Sequence, residues 1–237
     1  MENLINSTGI PFAVTQAGKS SLDETNSKFV GSIGVTGSSV ANELAKESDL
    51  VISVGSRLQD FTTGSNTLIS CEMISINVQN HDVVKHKSIS LLGDAKVSLK
   101  LILERINNFR ISKQYETEIN RLKNLWEADV VRVTSKSDKN SLPSDSEVIG
   151  ALNRNVPKDT IVIGAAGSMP GELHKLWKSG DVEGYHMEYG FSCMGYEIPA
   201  AIGVNLAEPD RPNVIFVGDG SYTVSYTHLR AHETQSD

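Results

Sequence analysis

The sequence predicts an α/β protein made of two parallel-sheet, three-layer units. Short apolar runs typical of buried strands alternate with segments whose apolar residues recur at helical spacing. Such alternation favours a parallel sheet with helices on its faces. A polar stretch without periodicity, residues 134–141, interrupts the pattern, which then begins again. We interpret this stretch as a linker between two domains.

In the first unit, three strands are predicted at residues 49–55, 73–78 and 89–92. Ser38 or Ser39 can cap a helix that precedes the first strand. A second helix is predicted after Asp94, where apolar residues return every three or four positions. A third helix is predicted over residues 111–131, with a charged outer side and the apolar stripe Ile111, Tyr115, Ile119, Leu122 and Trp126.

The second unit begins with a capping box, in which Ser144 and Glu147 would satisfy each other's backbone amides at a helix start. Two buried strands are predicted at residues 160–164 and 213–217. A helix rich in small residues, from about Gly195 to Leu206, lies between them. These elements predict a second α/β unit.

The predicted organisation has four parts. Residues 1–110 form one domain, residues 111–142 a helix and linker, and residues 143–223 a second domain. Residues 224–237 lack an apolar stripe and resemble the translation of a sequencing adapter. We therefore predict that this tail is not native and that the natural sequence stops near Thr223.

Composition argues against several functional classes. The net charge of −7 repels nucleic-acid backbones, so no nucleic-acid partner is expected. No run approaches the roughly 18 apolar residues that a membrane span needs, so no membrane partner is expected either. Two cysteines are too few for a disulfide framework, and the N-terminus does not resemble a signal peptide. A cytoplasmic protein is expected.

The strongest chemical signal is the run from Val217 to Ser221, which contains Gly-Asp-Gly and follows an apolar strand. Ligands bind beyond the carboxyl ends of strands in open α/β sheets. Glycines let the backbone approach a phosphate, and a following helix N-terminus offers free amides. Asp219 could hold Mg²⁺ bridging phosphate oxygens. The alternative is a turn in which Asp219 only caps a helix.

With residues 190–203, this run resembles the diphosphate-binding domain of thiamine diphosphate enzymes of the acetolactate synthase type. The resemblance implies thiamine diphosphate and Mg²⁺ as cofactors, with Asp219 as a metal ligand. It assigns Gly220 and Ser221 to the diphosphate and Met194 with Gly195 to the aminopyrimidine. Another diphosphate-contacting turn would contain Gly167 and Ser168. The alternative for Met194 is ordinary core packing.

The first half resembles the central domain of the same family. The matching segments are Gly34–Gly37, Ala41–Asn42, Asp49–Leu50, Gly55–Arg57, Asp60–Gly64, Ile76–Val78 and Gly93–Asp94. That domain binds FAD in some relatives and is only structural in others. We favour the structural role here.

Within the family, residues 184–198, 15–19 and 60–63 resemble the enzymes of inositol catabolism that open a ring by hydrolysing a C–C bond. The resemblance implies a cyclic polyol dione as substrate and 5-deoxy-glucuronate as product. His186 and Glu188 are candidate catalytic residues, because imidazole and carboxylate groups bind hydroxyls and His186 can move protons near neutral pH. Alternatively, both are structural groups near a domain edge.

Two parts of the family's machinery are missing from the sequence. In relatives, a glutamate of an N-terminal pyrimidine-binding domain activates the cofactor. An asparagine that follows the Gly-Asp-Gly is the second Mg²⁺ ligand. We therefore expect an incomplete piece of a homo-oligomeric enzyme, at least a dimer, that is inactive alone. The competing functions are another thiamine diphosphate enzyme, such as an acetolactate synthase or carboligase, and a non-catalytic nucleotide-binding scaffold.

Overall fold

A computed structural model describes residues 1–106, 108–136, 140–165 and 167–230. The chain divides into two compact units. The first contains Met1–Gly18 and Asn26–Asp129, and the second contains Lys19–Thr25 and the chain from Val130 onward. The chain therefore enters the second unit briefly before it completes the first.

The strands are all short and pair in parallel. In chain order they are β1 (Phe12–Val14), β2 (Phe29–Ser32), β3 (Leu50–Val54), β4 (Glu72–Asn77), β5 (Ile89–Leu92), β6 (Ile161–Gly164), β7 (Tyr185–Met187) and β8 (Asn213–Ile215). Parallel pairing joins β1 to β2, orders the second sheet β3-β4-β5, and orders the third β7-β6-β8.

Helices connect most of these strands. They are α1 (Glu2–Thr8), α2 (Ser39–Glu47), α3 (Asp60–Thr63), α4 (Asn80–Val83), α5 (Ala95–Arg105), α6 (Lys113–Thr134), α7 (Asp145–Asn155), α8 (Met169–Leu176), α9 (Glu197–Ala207) and α10 (Asp219–Arg230). Helical crossovers between parallel strands confirm the predicted α/β class.

The first unit has two apolar clusters. Helix α2 packs against β2 and the first part of α6 through Val30, Val40, Ala41, Leu44, Ile119 and Leu122. The second cluster, around Ile76 and Leu99, holds α5 against the β3-β4-β5 sheet. Ser38 caps α2 by accepting a hydrogen bond from the amide of Ala41, as the sequence indicated. Asn42 binds both the N–H and the C=O of Gly34, which fixes the turn that precedes the helix.

The core of the second unit surrounds β6, the central strand of its sheet. Ile149, Val162, Leu173, Leu176, Trp177, Tyr185 and Phe216 are buried in it. The predicted capping box is present: Ser144 accepts from the amide of Glu147, and Glu147 accepts from the amide of Ser144. Helix α7 therefore starts at the predicted position.

The end of α6 corrects the predicted start of the linker. The helix continues through Thr134, the first residue assigned to the linker, instead of ending at residue 131. Arg154 donates hydrogen bonds to the Thr134 hydroxyl at 3.2 Å and to its carbonyl at 3.0 Å. These contacts, with Val130 and Val133 packed on the core, stabilise the last turn. Residues 137–139 of the predicted linker lie outside the described residues.

Residues 19–25 carry a buried ion pair within the second unit. Lys19 Nζ lies 3.0 Å from Glu24 Oε2, and both side chains are almost fully buried. Glu24 also accepts hydrogen bonds from the amides of Ser20 and Ser179. Because unpaired buried charges are costly, these contacts keep the segment in place. Burial lowers the pKa of Lys19 even though Glu24 opposes the shift.

The end of the chain contains α10, whose backbone is helical through Arg230. The predicted non-native tail, residues 224–237, overlaps this helix, and residues 231–237 lie outside the described part of the chain. Among the residues that the structure describes, every helix is too short or too polar to cross a lipid bilayer.

Candidate functional site

The Gly-Asp-Gly turn connects β8 to α10 at the carboxyl edge of the second unit's sheet. Beyond β8, the amide of Phe216 still donates to the carbonyl of Ile163, and the Phe216 side chain is buried. The pairing with β6 therefore fixes the chain until shortly before Gly218. Helix α10 then begins at Asp219. The sequence predicted this strand–turn–helix arrangement.

Asp219 is exposed at the N-terminus of α10. Its Oδ1 accepts a hydrogen bond of 2.8 Å from the amide of Gly220. A Cβ placed on Gly218 would meet no atom within 4 Å, so the space beside the turn is open. An exposed carboxylate next to an open glycine turn and a helix N-terminus fits Mg²⁺ and phosphate oxygens.

Met194 and Gly195 lie beside this turn. The position of a Cβ on Gly220 would be 3.4 Å from the terminal methyl carbon of Met194. The side chain of Met194 is 49% exposed, so core packing does not account for it. Gly195 has a φ of 87°, which favours glycine. The structure thus brings together two predicted turns that lie more than twenty residues apart in the sequence.

A hydrogen-bonded chain joins the two turns. The amide of Gly195 donates to Ser221 Oγ at 2.7 Å, and this hydroxyl donates to Glu197 Oε2, also at 2.7 Å. Ser221 and Glu197 are 4% and 0% exposed. Ser221 therefore turns its hydroxyl inward and leaves its backbone near the open turn.

Glu197 is the site residue that sequence reasoning did not assign. It lies in the first turn of α9, an otherwise apolar helix start. A carboxylate before an apolar run usually indicates an exposed helix N-terminus. The burial of Glu197 depends on tertiary packing and was therefore not predictable from the sequence.

Gly167 and Ser168 form a third turn, between β6 and α8. Gly167 has a φ of 93°, and a Cβ there would meet nothing within 4 Å. Ser168 is exposed and precedes the first residue of α8. Because β6 and β8 are parallel neighbours, this turn and the Gly-Asp-Gly turn lie at the same edge of the sheet.

His186 and Glu188 lie on and just after β7, on the other side of β6. His186 is half-buried and pairs in register with Ile163. Glu188 accepts hydrogen bonds from the amides of Phe191 at 3.0 Å and Cys193 at 2.6 Å. These backbone hydrogen bonds lower the pKa of Glu188.

Glu188 therefore shapes the loop that leads to Met194. Both of its carboxylate oxygens accept backbone amides, as the structural alternative expected. Ser192 fixes the same loop to the end of β6 through a hydrogen bond to the carbonyl of Ala165. A catalytic role for Glu188 or His186 remains a prediction.

The carboxyl ends of β6, β7 and β8 all lead into this group of residues. Within the described part of the chain, no cluster of three or more His, Cys, Asp or Glu side chains could hold a metal on its own. A bound phosphate could supply further ligand oxygens to a cation at Asp219. Mg²⁺ commonly binds in this way, with one or two carboxylates and substrate phosphates.

Two family descriptions match the chain. Residues 1–102 match "Thiamine pyrophosphate enzyme, central domain", and residues 165–232 match "Thiamine pyrophosphate enzyme, C-terminal TPP binding domain". The second match includes all the turns described above.

Curated relatives match over 93% of this chain. They are named 3D-(3,5/4)-trihydroxycyclohexane-1,2-dione hydrolase in Clostridium tetani (40% identical), Geobacillus thermodenitrificans (38%) and Bacillus cereus (37%). The chain spans 38% of the length of these relatives.

Proposed function

Because the chain belongs to the family of thiamine pyrophosphate enzymes, we propose that its second unit binds thiamine diphosphate with Mg²⁺ at the turns that follow β6, β7 and β8. We further propose that the whole protein hydrolyses a C–C bond of 3D-trihydroxycyclohexane-1,2-dione, as the names of its relatives indicate. On this proposal it is a cytoplasmic, homo-oligomeric enzyme of inositol catabolism whose product is 5-deoxy-glucuronate.

The observation that best supports this cofactor site is that Met194 and Gly195 lie directly beside Gly220 and Ser221. The coenzyme has a diphosphate at one end and an aminopyrimidine ring at the other, so it needs two adjoining subsites. Asp219 would hold Mg²⁺, and the backbone amides of Gly220 and Ser221 would face the diphosphate. The exposed thioether of Met194 offers an apolar support for the ring.

The turn of Gly167 and Ser168 supports the same proposal. Its open backbone lies at the sheet edge that also carries Asp219, and its left-handed glycine leaves room for a close approach by phosphate oxygens. We assign it as a second backbone contact to the diphosphate.

The bound coenzyme would supply an electron sink that lets a C–C bond next to a carbonyl break. The chain's own residues would orient the substrate and move protons. His186 would exchange a proton with a substrate hydroxyl through its imidazole. Glu188, held as an anion by two backbone amides, would position the loop and accept hydrogen bonds from a polyol.

The cofactor assignment is tested by titrating thiamine diphosphate into the chain at millimolar Mg²⁺, with calorimetry as the readout. Because the chain is expected to be only part of the enzyme, we expect weak, Mg²⁺-dependent binding. It should fall at least about tenfold further in Asp219→Asn, because the amide loses the charge that holds a hard cation. Asp210→Asn, an exposed aspartate of the same unit, is the matched control and should bind normally. Equal binding by Asp219→Asn and by the unsubstituted chain would contradict the metal assignment.

The substrate assignment is tested on the gene product that contains this sequence in its natural context. We expect it to consume the cyclic dione and not to condense pyruvate. Activity on pyruvate alone would instead identify a carboligase or an acetolactate synthase.

A further inference from the structure

We propose that Glu197 is a positioning residue that couples the two cofactor turns through the hydroxyl of Ser221. This inference rests on the proposed function, since it concerns the site that would hold thiamine diphosphate. It goes further by assigning a role to a carboxylate that makes no contact with the open space at the sheet edge.

The first step is the burial of Glu197. Its side chain is completely inaccessible to solvent, although it lies at the start of a helix whose next residues are largely apolar. A carboxylate in such surroundings is costly unless it accepts hydrogen bonds. It receives one from Ser221 Oγ at 2.7 Å, across 24 residues of sequence.

The second step is the direction of the hydrogen bonds. A hydroxyl has one proton, and that of Ser221 goes to Glu197. The lone pairs of the hydroxyl then face the amide of Gly195, which donates to them at 2.7 Å. Glu197 thereby fixes the orientation of the hydroxyl, and the hydroxyl fixes Gly195.

The third step concerns the residues at the two ends of these hydrogen bonds. Gly195 follows Met194, the proposed support of the aminopyrimidine, and Ser221 follows Gly220 in the proposed diphosphate turn. The Glu197–Ser221–Gly195 chain therefore sets the separation between the two ends of the site. A ligand that spans both turns depends on this separation, whereas a ligand that uses only one does not.

The coupling is tested first without any ligand, by amide hydrogen exchange followed by mass spectrometry. In Glu197→Leu, which removes the acceptor at similar volume, exchange should rise about tenfold both at Gly195 and in the first turn of α10, while β6 stays protected. Glu197→Gln keeps an acceptor oxygen and should restore most of the protection. Ser221→Ala should behave like Glu197→Leu. Thr160→Val removes a buried hydroxyl that has no hydrogen-bond partner among the described residues, and it should have no effect at either turn.

Faster amide exchange at only one of the two turns in these variants, or at neither, would overturn the proposal. Loosening of the whole unit in both Glu197→Leu and Ser221→Ala, including β6, would also overturn it, because it would show a general role in folding. A failure of the glutamine variant to restore protection would contradict the hydrogen-bond chain.

The second measurement compares thiamine diphosphate with inorganic pyrophosphate, each titrated with Mg²⁺. In Glu197→Leu, we expect the affinity for thiamine diphosphate to fall about tenfold and the affinity for pyrophosphate to fall much less, because pyrophosphate contacts only one of the two turns. An equal loss for both ligands would contradict the coupling. If the unsubstituted chain binds neither ligand, the proposed function fails, and the exchange experiment still decides whether the two turns are coupled.

Discussion

At the residue scale, Glu188 and Cys193 show how one carboxylate organises a loop and changes a neighbour. Glu188 accepts the amide of Cys193, and the Cys193 thiol is exposed beside it. Partial desolvation and the negative charge of Glu188 raise the pKa of the thiol. The thiolate is the reactive form, so this environment suppresses the reactivity of an accessible cysteine.

Replacing Glu188 by Gln should make Cys193 easier to alkylate. Loss of the negative charge lowers the pKa of the thiol, so the pH at which iodoacetamide alkylation reaches half its maximal rate should move down. Mass spectrometry after timed alkylation measures this shift, with Cys71 in the first unit as the internal reference. A higher plateau rate without a change in midpoint would mean that the loop had only opened.

The sequence predicted where the turns of the candidate site lie, because these turns depend on neighbouring residues. Asp219, Gly220 and Gly167 lie in turns whose character follows from the residues next to them. The partner of Ser221 was not predictable, because a hydrogen bond across 24 residues depends on tertiary packing. Lys19 and Glu24 would be assigned to a solvated surface from sequence, yet they form a buried pair.

At the element scale, strands β3, β4, β5, β6 and β8 were predicted because each is an apolar run that ends in a turn signal. Strand β7 was not predicted: Tyr185, His186 and Met187 are only three residues of mixed polarity, and pairing with β6 decides their conformation. Helix α8 was missed as well, since its short sequence contains Pro170 and Gly171. Strands β1 and β2 were not predicted either. Of the elements that the sequence did not predict, β7 and α8 lie next to the candidate site.

The capping box of α7 gives a prediction about stability. Ser144→Ala should lower the free energy of unfolding by about 1 kcal/mol, because an amide at the helix N-terminus loses its acceptor. Ser144→Asp keeps an acceptor and should lose much less. Urea unfolding followed by circular dichroism measures both variants, and equal losses would show that the cap is not responsible.

At the scale of the whole molecule, each unit has its own apolar packing and its own parallel strands: among the described residues, two sheets and two apolar clusters in the first unit, and one sheet and one cluster in the second. The change of pattern around residues 134–141 predicted two units. It did not predict that residues 19–25 belong to the second, because these residues are polar and show no periodicity. All the proposed cofactor contacts lie in the second unit.

The most direct test of the central claim is hydrogen exchange of the chain with and without millimolar thiamine diphosphate and Mg²⁺. We predict that the ligand pair slows exchange at Gly167–Ser168, Met194–Gly195 and Gly218–Tyr222 together, and that thiamine without its diphosphate does not protect the α10 turn. Protection confined to other segments, or no protection at any of the three turns, would contradict the account.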